Sequence, residues 1–189
     1  MASSLPSVVT MSSKVCLLGD FAVGKTSLVR RFVYDLFDDK YISTIGVKVS
    51  RKTVAVPQAD QVVELSLILW DLAGGEKFDP IQATYMRGAA GAVLVCDVTR
   101  AETLDRLNSY VSDLQQVSPA AVFVLAANKS DLEPWEVSKE QVEAFAASIG
   151  ATCFFTSAKT GDQVEALFRE LGRELVEKLN GEKTNGSAS

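Results

Sequence analysis

"KVCLLGDFAVGKTSLVRRF", Lys14 to Phe32, decides the fold. An apolar run ends at Gly19, a short loop follows, and a second apolar-basic stretch begins after Gly24-Lys25-Thr26. The inner part, "GDFAVGKTS" over 19–27, fits G-x-x-x-x-G-K-[ST] between a strand and a helix. The amides of such a loop point inward at a phosphate chain, and a helix N-terminus reinforces them. Phe21, Ala22, Val23 and Ser27 belong to the same binding loop, and Gly24 allows close backbone approach. Lys25 can reach the β and γ oxygens, and Thr26 can give its hydroxyl to Mg²⁺. The bland alternative is a chance glycine turn; the strand–loop–helix setting argues against it.

Outward from this stretch, short apolar runs alternate with amphipathic ones. "KVCLLG" (14–19), "VELSLILW" (63–70), "GAVLVCD" (91–97), "AVFVLAA" (121–127) and "ATCFF" (151–155) read as strands buried on both faces. "VKVSRKTVAV" (47–56) alternates apolar and polar and reads as an edge strand. Leu104, Leu107, Val111 and Leu114 share one helical face. Ser138 and Gln141 form a capping box for a helix that Gly150 ends, and Asp162 can cap a last helix. Strand–helix alternation predicts an α/β fold, and ligands on such sheets bind beyond the carboxyl ends of the strands.

The remaining motifs fall on that rim. "ANKSD" (127–131) follows a strand. The Asp131 carboxylate can accept both N1–H and the exocyclic amine of guanine, a pattern adenine does not offer. Asn128 can tie this loop to the phosphate loop, and the stem of Lys129 can cover the base. In "TSAK" (156–159), backbone N–H groups at Ser157 and Ala158 can bond the guanine O6, and Lys159 can pack on the ring.

Composition narrows the chemistry. The chain has 189 residues, 47% hydrophobic and 23% charged, with formal net charge −5. That balance gives no reason to expect nucleic acid. No histidine occurs, which removes Ser-His-Asp and Cys-His catalysis. Cys16, Cys96 and Cys153 sit in apolar runs and read as reduced thiols of a cytoplasmic protein. No run reaches the roughly 18–20 apolar residues of a membrane span.

The phosphate loop, "TIG", "WDxAG", "NKSD" and "SAK" occur in the order and spacing of Ras-superfamily small GTPases, over about residues 14–180. "YISTIGV" (41–47), "WDLAGGEKF" (70–78), "YMRGAAG" (85–91) and "TSAKTGDQVEALF" (156–168) resemble the Rab branch most. The resemblance implies a single G domain over 14–180. Its sheet should be six-stranded and mostly parallel, with one antiparallel edge strand and about five helices. Residues 1–13 are expected as a flexible leader and 181–189 as a disordered tail. The resemblance also implies GTP, GDP and Mg²⁺ as ligands. Phe37 should lie edge-on to the guanine. Thr44 should coordinate Mg²⁺ in the GTP form, and Asp71 should hold it through water. The Gly74 amide should bond the γ-phosphate. Segments 35–47 and 71–85 should be switches, and effectors should bind 35–56 and 71–88. An exchange factor and a GTPase-activating protein are further implied partners.

Three positions depart from that family. Gly75 stands where a Gln usually orients the attacking water. Either the water lacks its positioner or a turn needs positive φ, and both can hold. Phe21 stands where many relatives carry glycine or a small or polar residue; its ring either covers the phosphates or packs under the switches. The sequence ends "NGSAS" without the usual prenylated cysteine, and Ala2 excludes N-myristoylation; either the protein never anchors by lipid or this sequence is a truncated one, and no autonomous membrane anchoring is expected of the residues given. The expected reaction is slow GTP hydrolysis, with Lys25, Thr44, Gly74 and Gly75 at the reacting phosphate. The alternative is a GTP-loaded binding module that hydrolyses too slowly to cycle alone. A phosphate-loop kinase is the distant rival, and "NKSD" argues against it.

Overall fold

A computed structural model describes residues 7–40, 43–59, 61–75 and 80–186. Parts of both expected switches (41–42 and 76–79), the first six residues, Asp60 and 187–189 lie outside them.

The elements run β1 (Ser7–Leu18), α1 (Lys25–Tyr34), β2 (Val47–Pro57), β3 (Gln61–Leu72), α2 (Pro80–Met86), β4 (Gly91–Asp97), α3 (Ala101–Asp105), α4 (Leu107–Val117), β5 (Val122–Asn128), α5 (Lys139–Ser148), β6 (Thr152–Thr156) and α6 (Val164–Gly186). Arg106 alone separates α3 from α4 and keeps a right-handed helical backbone, so the two form one interrupted helix. With that pair counted once, the described residues form five helices about the sheet, as the resemblance implies.

The six strands lie in the order β2-β3-β1-β4-β5-β6. All neighbours pair parallel except β2 with β3, which makes β2 the antiparallel edge. After β1 the chain builds β3 on one side and β4 on the other. The crevice at such a reversal is where a doubly wound sheet takes its ligand, and the 19–24 loop opens there.

Period-two alternation divides the core. Val15 and Leu17 face a cluster with α1 and α6, while Cys16 and Leu18 face one with α2, α4 and α5. Phe32 of α1 stacks on Phe168 of α6 at 4.0 Å between centroids, which fixes the first helix against the last. All three cysteines are free thiols; Cys16 and Cys96 are buried and Cys153 is half-buried. Burial pushes the first two up to about 12.

Three boundaries differ from expectation. The flexible leader over 1–13 is overturned from Ser7 on, because β1 begins there and pairs Ser7 with Gln61. Val8, Val9 and Thr10 are β-branched, and the extended β3 offers them a ladder. The disordered tail over 181–189 is overturned for 181–186, which continue α6. Propagating a formed helix costs far less than starting one. Asp162 does not cap α6: the helix starts at Val164 behind Gln163 at φ 55°, and the Asp162 carbonyl accepts from the Ser157 amide. The Ser138–Gln141 capping box is present as read. Among the described residues, no helix is long and apolar enough to cross a membrane.

Candidate functional site

The phosphate loop departs from ordinary backbone geometry. Ala22 has φ 60° without being glycine, and Gly24 has φ 106°. Such alternation turns successive N–H groups to one side and makes an anion-binding nest, and strain of this kind collects at functional sites. Helix α1 follows with no side-chain cap and no acid in its first turn, so the helix itself supplies no anion to its first amides. A Cβ at Gly24 would lie 2.2 Å from Asn128 Nδ2, so the position must be glycine for packing as well as for φ.

Lys25 is buried, and its ammonium donates to the carbonyls of Gly19 and Asp20, both at 2.7 Å. Burial lowers its pKa from 10.5 to about 8; Asp71 and Asp20 oppose the fall and Arg100 adds to it. The lysine is thus held beside the nest, largely desolvated, which strengthens its attraction for an anion.

Thr26, Thr44 and Asp71 meet at one point. Thr26 Oγ1 lies 2.5 Å from Asp71 Oδ2 and 2.7 Å from Thr44 Oγ1. Asp71 is 1% exposed, and its Oδ1 has no hydrogen-bond partner among the described residues. Burial raises the Asp71 pKa against the opposing Thr26 hydroxyl and Lys25 charge. A buried carboxylate oxygen without a partner costs free energy unless something else satisfies it. Among the described residues no group of three or more His, Cys, Asp or Glu could hold a metal. A set of two hydroxyls and one carboxylate suits Mg²⁺, which keeps waters and shares phosphate oxygens. The residues therefore fit the ion the sequence implies.

The other wall is built by the ends of β5 and β6. Asn128 is buried and uses both ends of its amide: Nδ2 donates to the Val23 carbonyl at 2.9 Å, and Oδ1 accepts from Thr156 Oγ1 at 3.1 Å and the Ala158 amide at 3.3 Å. One side chain thus joins three loops. Ser157 Oγ donates to Asp131 Oδ1 at 2.6 Å and orients that carboxylate. Lys129, at φ 65°, places its ammonium 2.6 Å from Asp97 Oδ2, leaving its stem along the pocket. Burial alone would discourage ionisation of Asp97, but the Lys129 ammonium and the Thr99 hydroxyl and amide outweigh it and hold the carboxyl below its ordinary range.

These walls enclose a pocket of about 330 Å³. Phe21, Ala22, Gly24, Lys25, Thr26, Ser27, Phe37, Thr44, Gly74, Asn128, Lys129, Asp131, Ala158 and Lys159 line it. Four expected site residues do not. Val23 is core and contributes its carbonyl to Asn128. Ser157 stands behind Asp131, and Asp71 behind Thr26. Gly75 lies outside the wall, exposed, with its carbonyl 3.0 Å from the Tyr110 hydroxyl.

The two glycines of "AGG" prove unalike. A Cβ at Gly74 would lie 2.6 Å from the Asp20–Phe21 backbone, so this glycine is required by close approach to the phosphate loop. Gly75 has no positive φ, and a Cβ there would meet no described atom within 4 Å. The turn reading of Gly75 is overturned: the local backbone would accept a side chain. Phe21 is 52% exposed at the pocket mouth and is not packed away in the core.

Several residues went unnoticed in the sequence. Arg31 donates Nε to the Ala158 carbonyl at 2.8 Å and Nη2 to the Lys159 carbonyl at 2.5 Å, bracing that loop from α1. Asp97 anchors Lys129, and Asp20 pairs with Arg106 at 2.9 Å. Asp97 could have been noticed as a charged residue ending a wholly apolar strand. Arg31 and Arg106 carry no such signal.

The sequence profile of the Ras family matches residues 14–177. The chain is similar to the GTP-binding protein ypt5 of Schizosaccharomyces pombe, 41% identical over 178 residues, covering 92% of this chain and 83% of that protein. It is 40% identical to the Ras-related protein Rab-31 of Rattus norvegicus over 164 residues (86% and 82% of the two chains) and 41% identical to Rab-22A of Mus musculus over 165 residues (86% and 82%).

Proposed function

We propose, from the premise that this chain belongs to the Ras family and within it to the Rab branch, that it is a switch binding GTP and GDP with intrinsically slow hydrolysis. The observation that carries this reading is the Asn128 side chain bonded to the Val23 carbonyl. It joins the loop that can select guanine to the loop that can hold phosphates, across a pocket of nucleotide size.

In the proposed complex, the Asp131 carboxylate, held by Ser157, accepts from the guanine edge. The Lys129 stem covers the ring, and Phe37 approaches from switch 1. Lys25 and the loop amides hold the β and γ oxygens, and the Gly74 amide meets the γ-phosphate. Thr26, Thr44 and Asp71 would hold Mg²⁺, which neutralises charge on those oxygens when bound. Hydrolysis is in-line attack of water on the γ-phosphorus, and Lys25 and the amides stabilise the charge that develops. Residue 75 has no side chain to orient that water. Effectors would read 35–56 and 71–88, the segments that sense the γ-phosphate; an exchange factor and a GTPase-activating protein would act on the same edge.

A second reading is a GTP-loaded binding module that does not cycle by itself. Gly75 favours it, because its backbone does not demand glycine. Identification of the co-purifying nucleotide, followed by competition of GDP, GTP and ATP for the emptied pocket, tests the binding claim. Equal affinity for ATP and GTP would overturn it.

A further inference from the structure

Helix α4 brings to the phosphate loop, outside the pocket wall, a polar group that the proposed reaction does not use. Tyr110 lies on the apolar stripe of α4 and is 7% exposed. Its hydroxyl oxygen lies 3.1 Å from Asp20 Oδ1 and 3.0 Å from the Gly75 carbonyl. Asp20 is buried as well; Arg106 holds its other carboxylate oxygen at 2.9 Å, and its carbonyl accepts from Lys25. The phenol therefore stands between the phosphate loop and the start of switch 2.

A phenol donates one proton. Asp20 and Gly75 both offer acceptors, so the two contacts compete for it. Burial first, and the Asp20 charge second, push the Tyr110 pKa up, so the proton stays on through neutral pH. The carboxylate is the stronger, charge-assisted acceptor. When Gly75 moves away, the proton keeps Asp20, and the exposed Gly75 carbonyl meets water. Neither separation leaves a buried group unpaired, so detachment carries no desolvation penalty. A residue without a side chain can be held only by its backbone, and this carbonyl is where Tyr110 reaches it.

We propose that Tyr110 is a positioning residue: its O–H, shared between the Asp20 carboxylate and the Gly75 carbonyl, latches the Gly75 backbone to the phosphate loop, and it donates to Asp20 alone when Gly75 moves away. The latch rests on the reading of the pocket as a GTP site. It fixes the segment from which the attacking water is approached, in a chain that lacks the side chain for that task.

The test is hydrogen exchange over residues 71–75 in protein loaded with a non-hydrolysable GTP analogue, with GDP-loaded protein beside it. Tyr110→Phe keeps the ring and removes the donor. Exchange in the GTP-analogue form should rise about threefold to tenfold, the scale of one net hydrogen bond, with little change in the GDP form. Single-turnover hydrolysis should fall about twofold to fivefold while analogue affinity holds, a loss confined to the transition state. Asp20→Asn weakens the competing acceptor, so the proton turns toward Gly75 and exchange over 71–75 should slow. Opposite signs from two substitutions in one buried cluster support the latch, since general loosening would speed exchange in both. Unchanged exchange in Tyr110→Phe, or faster exchange in both variants, overturns it. Failure of the unaltered protein to bind the analogue overturns the nucleotide reading itself, and the latch with it.

Discussion

At the base end of the pocket, Asn128 has a partner at each end of its amide, Ser157 orients Asp131, and Asp97 anchors Lys129. At the phosphate end, Asp71 keeps an oxygen without a partner among the described residues, Phe21 is half exposed, and a Cβ at Gly75 would meet no described atom within 4 Å. Ile45, beside Thr44, is 93% exposed. The first region is assembled before a ligand arrives, so binding there loses little to reorganisation. At the second, the buried Asp71 oxygen is the group that a bound cation would satisfy in the proposed complex. In the proposed function, recognition and turnover would rest on different halves of one pocket, so a substitution should weaken one while sparing the other.

The sharpest break in this comparison is at Asp131. Asp131→Asn replaces one of the two acceptors facing the base with an amide, and guanine binding should weaken by about 1–3 kcal/mol, or roughly 5–150-fold. Preference should move toward xanthine, as competition between GDP and XDP would read. Unchanged guanine preference would mean that the base end is not the selective half.

Next in size is the phosphate end. Gly75→Gln should speed single-turnover hydrolysis about 10–100-fold, the scale of correcting a misplaced reactant by roughly 1 Å, with GTP affinity unchanged. Phe21 stands at the mouth where the new side chain would swing. Phe21→Gly combined with Gly75→Gln in a double-mutant cycle should therefore show coupling in rate. Tighter GTP binding without faster hydrolysis would place Gly75 in recognition instead.

Lys25 links the two halves to pH. In the empty fold it titrates near 8, against its ordinary 10.5. Between those values the unfolded chain holds more protons than the folded one, so stability of the empty fold rises with pH across that window. Nucleotide binding works the other way. A polyphosphate favours the charged lysine, so the bound state takes up a proton, and affinity should fall above pH 8 by at most about tenfold per unit. Calorimetry of GDP binding in buffers of different ionisation enthalpy would read that proton uptake; none between pH 8 and 9 would contradict the assignment.

The smallest effect belongs to the brace behind the base. Arg31→Ala frees the Ala158 and Lys159 carbonyls, and GDP release should quicken about twofold to tenfold, the range of one or two hydrogen bonds. Hydrolysis should not change, since the brace lies at the other end. Release measured with a fluorescent GDP analogue would show it, and an equal change in hydrolysis would blur the division between the ends.

The sheet and the pocket walls were legible in the sequence because their signals are local. Strand β4 coincides with its apolar run, and the Ser138–Gln141 box sits where its spacing put it. The pairing of Asn128 with the phosphate loop follows from two motifs at neighbouring strand ends. Contacts between distant segments were not legible. Tyr110 looks like one more residue on an apolar stripe until its hydroxyl meets Asp20, ninety positions earlier. Ser7–Ser13 reads as a leader because its edge is polar; the partner strand β3 recruits it into the sheet. Gly75 reads equally well as a turn or as a lost side chain, and only its dihedral and the space around it separate the two.

The division between recognition and turnover is tested most directly by loading the unaltered protein with GTP and following phosphate production and nucleotide release on one sample. GTP should stay tightly bound while phosphate appears slowly, more slowly than from Gly75→Gln at equal affinity. Phosphate production by the unaltered protein as fast as by that variant, with GTP equally well retained, would contradict it and show that another group positions the water.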